Sequence, residues 1–178
     1  NKTALVVGGG IAGMTCALSI ANQGHEVYLV EKEADLGGLA RKIHWTLEGL
    51  DVQAFLNDLI RKVCRHPSIH VYTGARITEA TGYIGNFVTR VESDRGGVEI
   101  KHGATVIAIG AQVYQPNEYL YGQDDRVMTQ MELEEQIHQG NEKVINAETV
   151  VMINASAAGM KRGIIAAEYV AASLSRTP

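Results

Sequence analysis

Ala4-Leu5-Val6-Val7-Gly8-Gly9-Gly10-Ile11-Ala12-Gly13 runs from four apolar residues straight into a loop with the spacing G-x-G-x-x-G. The apolar run has the length of a buried parallel strand, and Ile11 to Gln23 reads as a helix. Small residues at Ala12, Gly13, Ala17 and Ala21 let that helix approach a sheet closely, and Gly24 supplies its C-cap. Glu26–Val30 is a second strand, and Glu31 stands at its end. Together these make a βαβ unit of about thirty residues. In such a unit Gly8 permits the tight turn, Gly10 lets a pyrophosphate reach the backbone, and Gly13 allows close helix–strand packing. The free amides of Ile11 and Ala12 at the helix start then meet the diphosphate, with the helix dipole adding to the attraction. Glu31 can accept both hydroxyls of an adenosine ribose and would repel a 2′-phosphate. Without its flanking strand and helix such a motif is often a flexible loop; here every flanking element is in place. The residues therefore imply dinucleotide binding.

Working outward, Asp35–Glu48 is expected to be irregular, with Gly37-Gly38 near its start. Asp51 is the expected N-cap of a helix to about Arg65, with Phe55, Leu56, Leu59, Ile60 and Val63 as its apolar stripe. Pro67 stops it, and Ile69–Tyr72 is a third parallel strand. Segments at about Ala75–Tyr83, Asn86–Ser93 and Val98–His102 are separated by turn signals and read as a β-meander. Thr105–Ile109 is again continuous and apolar, ending in Gly110. Beyond it, Thr129 with Glu132 fits a capping box for a helix to about Gln139. Thr149–Ile153 is strand-like, and Ala157–Leu174 reads as an Ala-rich helix. The expected class is α/β: a Rossmann-like central parallel sheet with helices, plus a three-stranded antiparallel meander. One domain is expected over 1–178, with a core to 110, a connecting loop, helix and strand over 111–153, and a C-terminal helix over 154–178.

Bulk properties narrow the function. A net charge of −4 and a pI of about 5.9 give no basic field for nucleic acid or anionic membrane. Aromatic residues at 6% are too sparse for a base-stacking surface. The two cysteines, Cys16 and Cys64, cannot build a metal or cluster site alone, and a reducing, cytoplasmic setting is the simpler expectation. No apolar run is long enough to span a bilayer, and Ala4–Val7 is too short for a signal-peptide core. The chain does not begin with methionine, which leaves room for a missing native start.

Four features, in order, choose between flavin and nicotinamide. They are the βαβ unit itself, Leu36-Gly37-Gly38 after Glu31-Lys32-Glu33, the meander, and Thr105-Val106-Ile107-Ala108-Ile109-Gly110. This arrangement resembles the glutathione-reductase-like flavoproteins, which implies FAD. In that family the last segment passes near the cofactor; here Ile109 replaces the usual threonine. Gly37 to Gly49 (GGLARKIHWTLEG) more particularly resembles the A subunits of heterodisulfide reductase and related flavoproteins, a likeness extending from about Lys2 to Ile153. The resemblance implies an FAD that passes electrons to iron–sulfur subunits or domains. It also implies that Gly8, Gly10 and Gly13 face pyrophosphate and Glu31 faces ribose. Lys32 would flank the adenosine, while Gly38, Leu39, Ala40, Arg41 and Lys42 line the cofactor. Ile77 would meet adenine through its backbone, and Ala108 and Gly110 would close the pocket. Arg41 or Lys42 could offset phosphate or reduced-flavin charge; a solvated charged pair is the alternative. His44 and Trp45 could lie near the flavin, although a wall under the loop suits Trp45 better.

The chain departs from that family in lacking cysteine-rich cluster motifs and a second G-x-G-x-x-G. A truncated or internally deleted chain is therefore expected, with Ala157–Leu174 as the closing FAD helix. In that helix Gly159 and Gly163 would permit close approach, and Lys161 and Arg162 would either face an anion or be solvated. No catalytic acid, base or nucleophile is identified. Two other functions remain: the NAD-binding domain of a dehydrogenase, and a non-catalytic nucleotide-binding module.

Overall fold

A computed structural model of the chain describes residues 1–94 and 96–152. The expected helix Ala157–Leu174, with Gly159, Lys161, Arg162 and Gly163, lies outside the described residues. The chain divides into two compact units, Asn1–Gly110 and Ala111–Pro178.

In the first unit β1 (Ala4–Val7), α1 (Ile11–Asn22) and β2 (Val27–Val30) form the expected βαβ unit, with the second strand one residue shorter than its apolar pattern. Gly24 closes α1 by donating its N–H to the Ala21 carbonyl at 2.9 Å. Asp51 caps α2 (Val52–Arg65) by accepting from the Ala54 amide at 2.9 Å. After β3 (Ile69–Tyr72) come β4 (Ala75–Tyr83), β5 (Asn86–Ser93) and β6 (Gly96–His102), then β7 (Ala104–Ile107). The parallel sheet has the order β3-β2-β1-β7, and β4-β5-β6 is a separate antiparallel sheet. This is the expected Rossmann-like α/β architecture with a meander.

Strand periodicity divides the core in two. Val6, Val27, Leu29 and Ile69 pack with Met14, Ala17 and Ala21 of α1 and with Leu56, Leu59 and Val63 of α2. Their sheet neighbours Leu5, Val7, Tyr28, Val30 and Tyr72 point the other way, onto Ala75, Val91, Val98 and Ile100. Both faces of β1 and β2 are therefore covered, which is why these strands read as continuous apolar runs. The meander side carries one buried polar pair. His102 is fully buried, with Nε2 2.8 Å from Thr89 Oγ1 and Nδ1 3.1 Å from the Ala104 carbonyl. A carbonyl can only accept, so Nδ1 carries the proton, and Nε2 accepts from the Thr89 hydroxyl. Burial holds the His102 pKa below the ordinary imidazole value.

Several expectations need correction. Phe55 is 54% exposed, whereas Val52, absent from the expected stripe, is buried. At 100° per residue Phe55 lies roughly 70° from the centre of the Val52-Leu56-Leu59-Val63 face, on its rim. The strand expected at Thr105–Ile109 is Ala104–Ile107, and Ile107 and Ile109 are 72% and 70% exposed, because β7 is a terminal strand of the described sheet. The meander's last strand begins at Gly96, not Val98, since paired glycine backbone extends the ladder. Asp35–Glu48 is not wholly irregular, because Gly38–Lys42 forms a 3₁₀ turn.

In the second unit Thr129 and Glu132 form the expected capping box of α3 (Gln130–His138). A short α4 (Glu142–Ile145) follows, capped by Asn141, and is absent from the sequence expectations. Residues 149–152 form no strand, and Ile153 lies outside the described residues. No ladder engages their short apolar run among the described residues, and without a ladder a strand leaves its backbone groups unmet. Arg126 binds Asp124 through several N–H groups and lowers that carboxyl to about 2. No helix among the described residues is long and apolar enough to cross a membrane.

Candidate functional site

The carboxyl ends of β1, β2 and β3 meet at Glu31. The Glu31 amide donates to the Tyr72 carbonyl at 2.8 Å, and its carbonyl accepts from Ala75 at 2.9 Å, so its backbone is fixed between sheet and meander. The residue is only 7% exposed, and its side chain turns toward the glycine loop. Oε2 accepts from the Gly9 amide at 2.5 Å and Oε1 from the Glu33 amide at 2.9 Å. A carboxylate has about four acceptor positions, so two protein donors leave capacity for hydroxyl groups.

The loop is shaped by backbone contacts that admit no side chain. Gly8 has φ +110°, and a Cβ there would drive into the Ala108 carbonyl. One at Gly13 would drive into the carbonyl of Gly8. Gly10 is different: a Cβ there would meet nothing within 4 Å. The space in front of Gly10 is therefore open, and the exposed Ile11 and Ala12 begin α1 beside it. Amides in a first helical turn have no intrahelical acceptor, and with the dipole they form an anion-binding mouth. Fixed glycines behind, an open face in front and a buried carboxylate to the side fit a dinucleotide diphosphate and its ribose.

A second segment walls this mouth. The Gly37 amide donates to the Gly9 carbonyl at 2.8 Å, and Gly10 and Gly37 form an isolated parallel bridge. A Cβ at Gly38 would lie 3.4 Å from the Gly10 Cα, so the turn begins against the mouth. Leu39 and Lys42 are exposed, while Ala40 is buried in the core. Arg41 is committed locally: its Nε donates to the Leu36 carbonyl at 2.6 Å, and its guanidinium lies 3.6 Å from Asp35. Lys32 lies on the exposed side of Glu31 and pairs with Glu33 at 3.6 Å. His44 and Trp45 stack at a tilt with centroids 5.5 Å apart; Trp45 is partly exposed rather than buried beneath the loop. Ile77 lies on β4, two residues beyond the Ala75 that binds Glu31, next to a register shift between Ile77 and Glu79. Ala108 donates its N–H to Val7 at 2.8 Å and presents its carbonyl to Gly8. Gly110, with φ +67°, has open space where a side chain would be.

The fold thus brings Gly8 to Gly13, Glu31, Gly38 and Ala108 into one neighbourhood. Sequence reasoning passed over Gly9 and Gln53. A Cβ at Gly9 would come within 2.5 Å of Leu36 Cδ2 and 2.9 Å of Glu31 Cβ, although the motif treats this position as variable. Gln53 binds the far end of the turn, and an ordinary polar residue in a first helical turn carries no signal of that.

Comparison with known proteins bears on the fold that carries this geometry. Residues 6–56 match the NAD(P)-binding Rossmann-like domain family. The chain is 41% identical over 90 residues to the second iron–sulfur A subunit of CoB–CoM heterodisulfide reductase from Methanopyrus kandleri, covering 50% of this chain and 14% of that protein. It is 34% identical over 125 residues to the corresponding protein of Methanocaldococcus jannaschii, covering 68% of this chain and 19% of that one. The chain is similar in sequence to heterodisulfide reductase A subunits. It spans less than a fifth of the length of these two relatives. Among solved structures, L-proline dehydrogenase from P. horikoshii is similar with a TM-score of 0.57 and 23% identity, over 64% of this chain and 23% of that one, which shows the shared fold.

Proposed function

We propose that Asn1–Gly110 is an FAD-binding domain of an electron-transferring oxidoreductase comparable to the heterodisulfide reductase A subunits. The observation that carries this is the buried Glu31 carboxylate held against the Gly9 amide beside an open helix mouth. Backbone amides at Gly10, Ile11 and Ala12 hold the diphosphate, and Glu31 orients the adenosine ribose. Gly8 and Gly13 keep side chains out of the loop. Gly38 and Leu39 border the far side of the mouth, and Lys42 extends a cation on the same turn. Ile77 and Lys32 border the adenosine end, and Ala108 and Gly110 the end of β7. When bound, the flavin supplies the redox chemistry, while the protein supplies position and electrostatics. The names of the heterodisulfide reductase relatives suggest iron–sulfur proteins as electron partners.

Side-by-side calorimetry with FAD and NAD tests the cofactor. FAD binding with the visible flavin spectrum perturbed is the expected result. Glu31→Gln removes the negative acceptor for the ribose and weakens FAD binding by about tenfold to a hundredfold. Binding of NAD without FAD would replace this reading with the second one, a nicotinamide domain, which the match over residues 6–56 favours.

A further inference from the structure

We infer that Gln53 is a positioning residue that holds the Gly38–Lys42 turn against the ligand mouth and so sets dinucleotide affinity. This deepens the dinucleotide reading and rests on it. A 3₁₀ turn of five residues is weak in isolation, and here its far end is closed by the Ile43 amide donating to the Ala40 carbonyl at 3.2 Å. One side-chain amide reinforces that closure from outside the turn. Gln53 Nε2 donates to the Ala40 carbonyl at 2.8 Å and to the Ile43 carbonyl at 2.5 Å. These two bonds use both N–H groups of the amide, so the glutamine is fully committed as a donor.

Its anchorage is rigid. Gln53 stands in the first turn of α2, one residue after Val52, whose amide donates to His44 at 3.0 Å and whose side chain is in the core. Asp51, the N-cap, fixes the same turn from the other side. At its near end the Gly38–Lys42 turn is bound to the glycine loop through Gly37 and Gly9. Gln53 pins the far end. With both ends held, the wall beside Gly10 is preformed, and a ligand need not order it on binding.

The test uses the full chain with Gln53→Leu, which keeps the bulk and loses both donors, and Gln53→Glu, which turns a carboxylate toward two carbonyl oxygens. Thr89→Val serves as a control that destabilises the meander away from the mouth. FAD affinity is measured well below the melting temperature, and deuterium exchange of residues 38–43 is followed without ligand. Gln53→Leu should raise the Kd for FAD about tenfold, Gln53→Glu more, and Thr89→Val should leave it unchanged. Exchange across residues 38–43 should accelerate in both Gln53 variants and not in the control. A Kd for Gln53→Leu within twofold of the parent, or unchanged exchange, overturns the inference. If the parent takes up NAD instead of FAD, the same variants are read by their Kd for NAD; if it takes up neither, the dinucleotide reading and the affinity role fall together, and exchange decides separately whether the clamp exists. Should leucine prevent folding, Gln53→Asn, with its shorter arm, is read in the same two assays and should lose affinity and protection partially.

Discussion

The two faces of the parallel sheet are covered by different material. Helices α1 and α2 cover one face with Met14, Ala17, Leu56, Leu59 and Val63, and the same helices carry the glycine loop and Gln53. The meander covers the other with Val91, Val98 and Ile100, reaching the site at the start of β4, where Ala75 binds the Glu31 carbonyl and Ile77 follows. The helical face therefore couples packing to the mouth, whereas the meander face mainly excludes water from β1 and β2. Substitutions of equal size on the two faces should separate stability from binding.

The largest effect is expected at the junction of loop and helix. Gly13→Val forces a side chain into the Gly8 carbonyl, and should abolish FAD uptake and leave little folded protein in thermal melts. Next come Leu56→Ala and Ile100→Ala, each removing a fully buried side chain at a cost of about 2–5 kcal/mol in chemical denaturation. Leu56→Ala should also weaken FAD binding, since Leu56 underlies Gly37; Ile100→Ala should spare it. Equal affinity losses from the two would break the distinction between the faces.

A smaller effect distinguishes the meander by pH. Unfolded His102 titrates near its ordinary value of 6.5, and the buried ring titrates lower. Above that value both states are neutral and stability is complete. As pH falls below it the unfolded chain takes up the proton first, so stability declines until the folded ring is also protonated. Melting temperature should therefore drop between about pH 7 and pH 5, and His102→Gln should flatten that part of the profile relative to the parent. The smallest effect is Thr129→Ala in the second unit, which removes a cap worth about 1 kcal/mol and should leave FAD binding unchanged.

The order of these effects follows what was legible beforehand. The strand Ala4–Val7, the helix from Ile11 and the acidic end at Glu31 are local patterns whose meaning is set by neighbours within thirty residues. The caps Asp51 and Thr129 are likewise local, because a cap binds an amide three residues on. What could not be read depends on partners distant in sequence or on fine angles. Gln53 looks like any polar residue until α2 docks on the turn at Ala40. Gly9 looks replaceable until Leu36 packs over it. Phe55 fits the helical stripe at the resolution of a pattern, yet lies on its rim. At 149–152 an apolar run has a strand's composition but pairs with no strand among the described residues, and α4 is too short for any periodicity to show.

The contact between Gly8 and the Ala108 carbonyl has a consequence for the nascent chain. The glycine motif leaves the ribosome roughly 100 residues before Ala108, an interval of about 5–20 s at ordinary elongation speeds. During that time the loop lacks the strand that backs it, so it reaches its final shape only after translation has passed β7. A ribosome stalled upstream of Ala104 would present the complete signature without a completed nest.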